Sequence, residues 1–270
     1  MTIRAPAVAG KFYEASAQAL KRQIECLANK TAVKSAAIAC MLPHAGYMYS
    51  GRVAVETVSR ISLPDKIILL GPNHTGNGAA FSLMAEGAWD TPLGRVEIDA
   101  ALAKKLLSGS TTLVNNSLAH LDEHSLEVEI PLFQYFKSSF KIVPIAFMTD
   151  DPEALIKTGK EIAAVIKAEG IKDSVLIAAS SDMTHFEQQV DAAAKDKEAI
   201  KAILELDEKK LMEKIQRLDI SMCGWAPAVV MIVAAKSLGA KNAELVRYET
   251  SGDVTGDKSS VVGYAGIRIY

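Results

Sequence analysis

Three of the five histidines in the sequence follow directly after short apolar runs that are typical of β-strands. They are His44, His74 and His185. Loops at the carboxyl ends of strands in an α/β sheet open into one crevice, so these side chains are expected to meet there. Grouped imidazoles can bind a metal ion or transfer protons. A single histidine in a loop is more often a hydrogen-bonded structural residue, but three in equivalent positions favour a shared site.

Cys223 lies just before an apolar segment with helical spacing, in the run Ser-Met-Cys-Gly-Trp-Ala-Pro. Amide groups and the dipole at a helix N-terminus favour a thiolate, so this residue could be a metal ligand or a nucleophile. An inert, small apolar role is equally compatible with the sequence. That inert role is the interpretation for Cys26, in a predicted helix, and for Cys40, in a predicted strand.

The segment 120–127 carries two further histidines. His120, His124 and Glu127 would share one face of a continuous helix. The acidic pair at 122–123, however, precedes the apolar run 126–136 and is typical of the first turn of a helix. His120 would then lie before the helix, in a capping or surface role, while His124 and Glu127 could still point into the crevice.

Strand-like and helix-like segments alternate along the chain. The candidate strands are residues 37–42, 66–70, 141–147, 174–179, 243–248 and 261–269. The candidate helices are residues 16–28, 52–61, 153–168, 192–204, 208–218 and 226–238. This order predicts an α/β fold with a mostly parallel central sheet and helices on both faces. Turn residues at 90–94 predict a hairpin within 81–98, near the sheet edge.

Composition limits the class of protein. The chain of 270 residues is 49% hydrophobic and 23% charged, with a net charge of −2 and no basic stripe, which disfavours nucleic-acid binding. No linker or repeat interrupts it, so one domain is expected over residues 1–270. Three scattered cysteines do not suggest disulfides. Neither the first residues nor the apolar stretch 225–235 suits a signal peptide or a membrane span, so we expect a cytoplasmic protein without a membrane partner.

Several ordered motifs together resemble the Memo family. They are residues 4–13 (RAPAVAGKFY), 43–47 (PHAGY), 71–74 (GPNH), 123–127 (EHSLE), Ser180-Ser181-Asp182 with His185, Cys223-Gly224, and 261–265 (VVGYA). The resemblance runs over nearly the whole chain. It implies an α/β fold similar to the catalytic subunit of class III, non-haem-iron extradiol dioxygenases.

The resemblance also implies a set of site residues. His44, His74 and Cys223 would surround one divalent metal ion, with Fe(II) favoured and copper or zinc as alternatives. Asp182 and His185 would lie beside it as catalytic groups, with Asp182 orienting His185. Around them, the residues expected to contact a ligand are His124, Glu127, Tyr47 and Trp225.

Function is implied less sharply than fold. The dioxygenases hold iron with two histidines and a carboxylate, whereas Cys223 stands in place of the carboxylate here. The leading hypothesis is a redox or Lewis-acid metalloenzyme acting on a small aromatic substrate. The alternatives are a non-catalytic metal-binding or phosphopeptide- and ligand-binding module, and a protein for metal handling or with a structural metal. The microbial branch of the family also implies a functional association with a radical-SAM protein.

Overall fold

The computed structural model describes residues 2–28 and 31–270, which form alternating strands and helices. The strands are β1 (Ile3–Arg4), β2 (Ala39–Leu42), β3 (Lys66–Pro72), β4 (Phe81–Leu83), β5 (Ala88–Thr91), β6 (Gly94–Glu97), β7 (Val114–Asn115), β8 (Lys141–Phe147), β9 (Val175–Ser180), β10 (His185–Glu187), β11 (Ala243–Thr250) and β12 (Val261–Ile269). The helices are α1 (Ala17–Leu27), α2 (Tyr47–Ser59), α3 (Ala100–Gly109), α4 (Ile130–Phe136), α5 (Pro152–Ala168), α6 (Gln189–Leu204), α7 (Glu208–Arg217), α8 (Trp225–Ser237) and α9 (Ser251–Thr255).

One sheet of nine strands dominates the described part of the chain. Its order is β10–β12–β2–β9–β3–β8–β4–β7, and β11 pairs with β12. The four central strands, β2, β9, β3 and β8, are parallel, whereas β12 and β4 join them antiparallel on either side. Leu42 pairs with Ser180 and Leu70 with Ala179, so β2, β9 and β3 end level with one another.

Helices cover both faces of this sheet. All residues of β2 and β9 are buried, and because successive side chains point to opposite faces, each face must be covered. Helix α8 packs on β9, β3 and β2 with α5 against it, while α2 packs on β11, β12 and β2. The predicted α/β architecture is therefore confirmed. The centre of the sheet is parallel, β12 and β4 flank it antiparallel, and the edge strand β7 pairs in parallel with β4.

The segment 81–98 folds differently from the prediction. The turn does join two antiparallel strands, β5 and β6, but this hairpin belongs to a separate three-stranded sheet with β1. The N-terminal strand supplies the partner, because Ile3 and Arg4 pair in parallel with Ala88 and Trp89. The edge of the main sheet is formed instead by β4 and β7. The predicted hairpin is present and lies against β8, but its placement at the edge of the main sheet was wrong.

The apolar run 126–136 is also less helical than predicted. It begins with a 3₁₀ turn at Glu127–Glu129, and only Ile130–Phe136 forms α4. Proline at position 131 lies in the first turn of α4, where its missing N–H costs nothing. The acidic residue Glu123 thus precedes the helix by several residues and is free to serve another purpose.

Helix α2 begins at Tyr47, five residues before the predicted start at 52. The early start means that the loop after β2 is very short and carries His44 at its centre. Among residues 2–28 and 31–270, none of the helices combines the length and the apolar character needed to cross a bilayer.

Candidate metal centre

The loops after three neighbouring parallel strands supply the polar residues of the centre. His44 follows β2, His74 follows β3 and Asp182 follows β9, and these strands are adjacent in the sheet. Since the strands end level, their loops rise side by side. The run before α8 brings Cys223 to the same place, as predicted from its position before a helix.

Three side chains offer ligand atoms to a common point. The ligand atoms of His44, His74 and Cys223 all lie within 4.8 Å of one another. The Nε2 atom of His44 is 3.3 Å from the Cys223 Sγ atom. Two ligands held about 2.0–2.3 Å from one tetrahedral ion are separated by about 3.3–3.7 Å, so this spacing fits a first-row metal.

The His44 ring is held in one tautomer. Its Nδ1 atom is 2.7 Å from the Ser180 hydroxyl, and that hydroxyl donates its only hydrogen to the Ser125 carbonyl at 2.7 Å. Nδ1 must therefore carry the proton and donate to Ser180, which leaves the lone pair on Nε2, facing Cys223. A second group that fixes the ring of a ligating histidine in this way is typical of metal sites.

His74 is held in the same manner by Glu123. The Nδ1 atom of His74 lies 3.0 Å from the Glu123 carboxylate, which also accepts the backbone N–H of His74. Backbone N–H groups of His124 and Ser125 donate to the same carboxylate at 2.8 and 2.9 Å. Burial alone would raise the pKa of Glu123, but the hydrogen bonds from His74 and Ser125 outweigh it and lower that pKa to about 2. Glu123 is thus a carboxylate at neutral pH, and it leaves His74 Nε2 free for a metal.

His124 completes a cluster of three imidazoles. Its ring stacks on that of His74 with centroids 4.8 Å apart, and it lies 5.5 Å from the ring of His44. The ring of Phe12 meets it edge-on at 4.9 Å. With His74 and Glu123, His124 forms a second group of close ligand atoms. Because every oxygen of Glu123 already accepts hydrogen bonds, we assign Glu123 to orienting the histidines rather than to binding an ion.

Burial sets the protonation of the ligands. It lowers the pKa of His44 well below its usual value, and the neighbouring His124 and His74 lower it further. His44 is therefore neutral and able to coordinate. Burial also raises the pKa of the Cys223 thiol, and Asp182 adds to that effect. The helix start, expected to favour a thiolate, does not outweigh burial, so Cys223 needs a cation beside it to ionise.

A glycine allows Cys223 to approach the sheet. The N–H of Gly224 donates to the Ser181 hydroxyl at 3.0 Å, and a Cβ atom at Gly224 would clash with the Ser180 carbonyl. Glycine at position 224 is thus required by the close contact between this loop and the end of β9.

Asp182 positions a ligand loop instead of His185. Its carboxylate accepts the backbone N–H groups of His44 at 2.9 Å and Ala45 at 3.3 Å. His185 is oriented by Ser221, whose carbonyl lies 3.0 Å from the His185 Nδ1 atom and whose hydroxyl accepts the His185 N–H at 2.8 Å. The prediction that Asp182 orients His185 was therefore wrong. Since a carbonyl can only accept, His185 carries its proton on Nδ1 and presents Nε2 as the basic atom.

Two residues expected to contact a ligand are engaged elsewhere. The Glu127 carboxylate is buried and binds Arg4, Tyr13 and two backbone N–H groups. Tyr47 is buried too, and its hydroxyl donates to the Val128 carbonyl at 2.6 Å. Neither polar group faces the crevice, because each satisfies a buried partner. Trp225, the first residue of α8, packs against the core, and its contact with a ligand stays a prediction.

His120 is not a surface residue. It is fully buried, packs against Trp89 with ring centroids 5.8 Å apart, and donates from Nε2 to the Ser82 carbonyl at 3.0 Å. Burial lowers the pKa of His120 to about 4. The capping or surface role expected for it was wrong, because the 3₁₀ turn at Leu118–His120 turns its ring inward.

Comparison with known proteins identifies the family. Residues 4–268 match the family model described as Memo-like protein. The chain belongs to the Memo family. It is 42% identical to a MEMO1 family protein of Methanothermobacter thermautotrophicus, over 97% of this chain and 99% of that protein. It is 43% identical to a MEMO1 family protein of Methanococcoides burtonii, over 99% and 100% of the two chains.

A solved structure shares the fold at low identity. The crystal structure of an uncharacterized protein from Escherichia coli K12 has a TM-score of 0.56 and 17% identity, covering 84% of this chain and 98% of that one. This likeness concerns the fold alone. For the Memo family member described here, the resemblance drawn from its ordered motifs is thus confirmed, and so is the α/β fold that it implies.

Four residues at the centre had no assigned site role from the sequence: Phe12, Glu123, Ser180 and Ser221. Phe12, Glu123 and Ser180 lie within the motifs, Glu123 directly before His124 and Ser180 two residues before Asp182. An acidic residue directly before a candidate histidine was the available signal for Glu123. Phe12 and Ser221 had no comparable signal, because neither an aromatic ring nor a hydroxyl at these positions indicates a site by its residue type.

Proposed function

We propose that the chain is a metal-binding protein in which His44, His74 and Cys223 hold one divalent ion. The observation that carries this proposal is the convergence of three ligand atoms within 4.8 Å, with the second nitrogen of both histidines already committed to Ser180 and Glu123. Histidines with a purely structural role do not need to direct their remaining ring nitrogens toward a common point. The resemblance to non-haem-iron dioxygenases favours Fe(II). Copper and zinc are alternatives, because imidazole and thiolate ligands suit all three ions.

The charges around the centre suit a divalent cation. His44 is neutral, Glu123 is a carboxylate, and Cys223 becomes a thiolate when a cation lowers its pKa. The thiolate and the Glu123 carboxylate oppose the two positive charges of a divalent ion, and the carboxyl group of Asp182, beside His44, adds a further acidic group. An ion paired in this way avoids the desolvation penalty of an unpaired buried charge.

We further propose that the centre serves a redox or Lewis-acid enzyme acting on a small aromatic substrate. A bound ion would supply Lewis acidity or, if redox-active, a site for electron transfer. The chain supplies a group for proton transfer, since Ser221 holds the Nδ1 atom of His185 and leaves Nε2 for that role. Phe12 and His124 offer ring edges and faces suited to a planar ligand.

Metal content tests the binding proposal. Protein purified anaerobically should retain close to one ion per chain, and Cys223→Ala should retain much less. Cys26→Ala is the matched control, because Cys26 is exposed on α1 and should leave the content unchanged. Equal metal content in all three proteins would remove Cys223 from the ligand set.

Oxygen uptake tests the enzyme proposal separately. Iron-loaded protein given a catechol should consume one O₂ per catechol, with both oxygen atoms entering the ring-opened product and no added reductant. His185→Ala should lose this uptake while keeping its iron. Iron-loaded parent protein that consumes no oxygen with any catechol would favour the alternative, a metal-dependent binding module for small molecules or peptides.

A further inference from the structure

The N-terminal arm, residues 4–13, is tied to the loop that carries Glu123. Arg4 is buried, and its guanidinium donates to the backbone carbonyls of His120 and Glu123 and, at 2.7 Å, to the Glu127 carboxylate. Those acceptors span the whole loop that holds Glu123 and His124. The guanidinium reaches these three acceptors from three different nitrogens, whereas a lysine offers all of its donors from a single nitrogen.

The arginine is itself held in place from two sides. The ring of Trp89 lies under the guanidinium at 4.2 Å, because β1 pairs Arg4 with Trp89. The Glu127 carboxylate that neutralises it also accepts the N–H groups of Ala7 and Val8 at 2.7 and 3.0 Å and the Tyr13 hydroxyl at 2.6 Å. Because the Glu127 carboxylate has all of these partners, the buried pair of Arg4 and Glu127 is held in one geometry.

The same arm reaches the loop that carries His44. The backbone N–H of Tyr47 donates to the Phe12 carbonyl at 2.7 Å, and the ring of Phe12 contacts His124. The N-terminal arm therefore joins the His44 loop to the Glu123 loop, although the two are far apart in sequence.

We infer that Arg4 is a positioning residue for the metal centre. It fixes the backbone on both sides of the Glu123 loop, and the Glu123 carboxylate in turn fixes the ring of His74. This inference rests on the proposed function, because it assigns Arg4 to the same metal site. Arg4 touches neither ion nor substrate and acts only through Glu123.

Cobalt(II) titration under anaerobic, reducing conditions tests the inference. Arg4→Lys keeps the positive charge but cannot hold both carbonyls, so we expect about a tenfold loss of Co(II) affinity, the lower end of the effect of groups that orient metal ligands. Arg268→Lys is the matched control. Arg268 is a largely buried arginine that binds Glu244 and the Arg60 carbonyl, and it pairs through β12 with Cys40, toward the opposite end of β2 from His44. The Co(II) affinity of Arg268→Lys should stay within twofold of that of the parent.

A double-mutant cycle shows whether Arg4 acts through Glu123. If it does, Arg4→Lys should weaken Co(II) binding much less in a Glu123→Gln background than in the parent. Fully additive losses, or equal losses in the Arg4 and Arg268 variants, would overturn the inference. A parent that binds no Co(II) would instead contradict the proposed function.

A second measurement needs no metal. In metal-free protein the Nδ1–H proton of His74, donated to Glu123, should give a slowly exchanging NMR resonance. Arg4→Lys should speed its exchange with solvent, and Arg268→Lys should not. Unchanged exchange in Arg4→Lys would refute the inference even without metal. If Arg4→Lys does not fold, Glu127→Gln loosens the same arginine and must increase the exchange rate in the same direction.

Discussion

The orientation of each candidate histidine ligand is set by the hydrogen-bond partner of its Nδ1 atom, which faces away from the centre. Ser180 accepts the Nδ1–H group of His44, and Glu123 accepts that of His74. In each case Nε2 is the ring nitrogen that remains for an ion at the centre. The tautomers thus follow from hydrogen bonding within the protein and do not require a metal to set them.

Removing the Ser180 hydroxyl should expose its part in fixing His44. We expect Ser180→Ala to lose about tenfold in zinc affinity, because the His44 ring can then rotate or change tautomer. Ser59→Ala is the control, since Ser59 is equally buried but lies at the end of α2, where its hydroxyl donates to the Glu56 carbonyl. Isothermal titration of both variants measures the difference, and equal affinities would show that Ser180 has no such part.

Glu123 should make stability depend on pH in acid. Its pKa is lowered from 4.5 to about 2 on folding, so its stabilising contribution is present above about pH 4.5 and is lost as the pH falls toward 2. A shift of this size corresponds to about 3 kcal/mol. At pH 7, Glu123→Gln should therefore unfold at lower urea concentration than the parent, and the two proteins should converge near pH 2. A difference that stays constant from pH 7 to pH 2 would contradict this account.

The sequence predicted that His44, His74 and Cys223 lie together, as they do in the structure, but several of their neighbours were misplaced. Glu123 was interpreted as an acid favourable to a helix dipole, because the pattern 126–136 suggested a helix that begins earlier than it does. Glu127 and Tyr47 were expected in the crevice, since a side chain's direction depends on tertiary partners such as Arg4 and Val128. Residue type and spacing can select a candidate but cannot give its direction.

Among the secondary-structure elements, the carboxyl ends of the central strands determine where the candidate site lies. The apolar runs of β3, β8, β9 and β12 were predicted nearly to the residue, because buried strands have uninterrupted β-branched or small apolar residues between polar ends. The two-residue strands β1 and β7 could not be predicted, since so short a segment carries no periodicity. The pairing of β1 with β5 was missed for this reason, and the hairpin was misplaced with it.

Strand β10 contains a strained residue next to His185. Phe186 has φ of 60° and is 77% exposed, at an irregularity in the pairing of β10 with β12. A non-glycine residue in this region costs about 1 kcal/mol or more. We expect Phe186→Gly to be more stable than Phe186→Ala by about 1 kcal/mol, because only glycine adopts this φ without strain. Urea unfolding of the two variants tests this, and a more stable alanine variant would show that no strain exists at Phe186.

At the scale of the whole molecule, the centre connects distant parts of the chain. His44, His74 and Cys223 come from the loops after β2 and β3 and before α8, which the sheet holds together. An ion bound by all three should therefore bind the folded state much more tightly than the unfolded chain. A change that displaces one of these loops should therefore lower the affinity for the ion.

Metal binding should stabilise the folded protein by a predictable amount. Zinc at one hundred times its dissociation constant should raise the free energy of unfolding by about 2.7 kcal/mol. His44→Ala should lose this increment, measured by urea unfolding with and without zinc. The same increment in His44→Ala as in the parent would mean that zinc binds elsewhere.

X-ray absorption at the zinc edge shows whether one ion is bound by two imidazoles and the Cys223 sulfur. Zinc-loaded protein should show one sulfur at about 2.3 Å and nitrogen ligands at about 2.0–2.1 Å. The sulfur contribution should vanish in Cys223→Ala and persist in Cys26→Ala. A parent spectrum without sulfur, or a sulfur contribution that survives Cys223→Ala, would contradict the assignment.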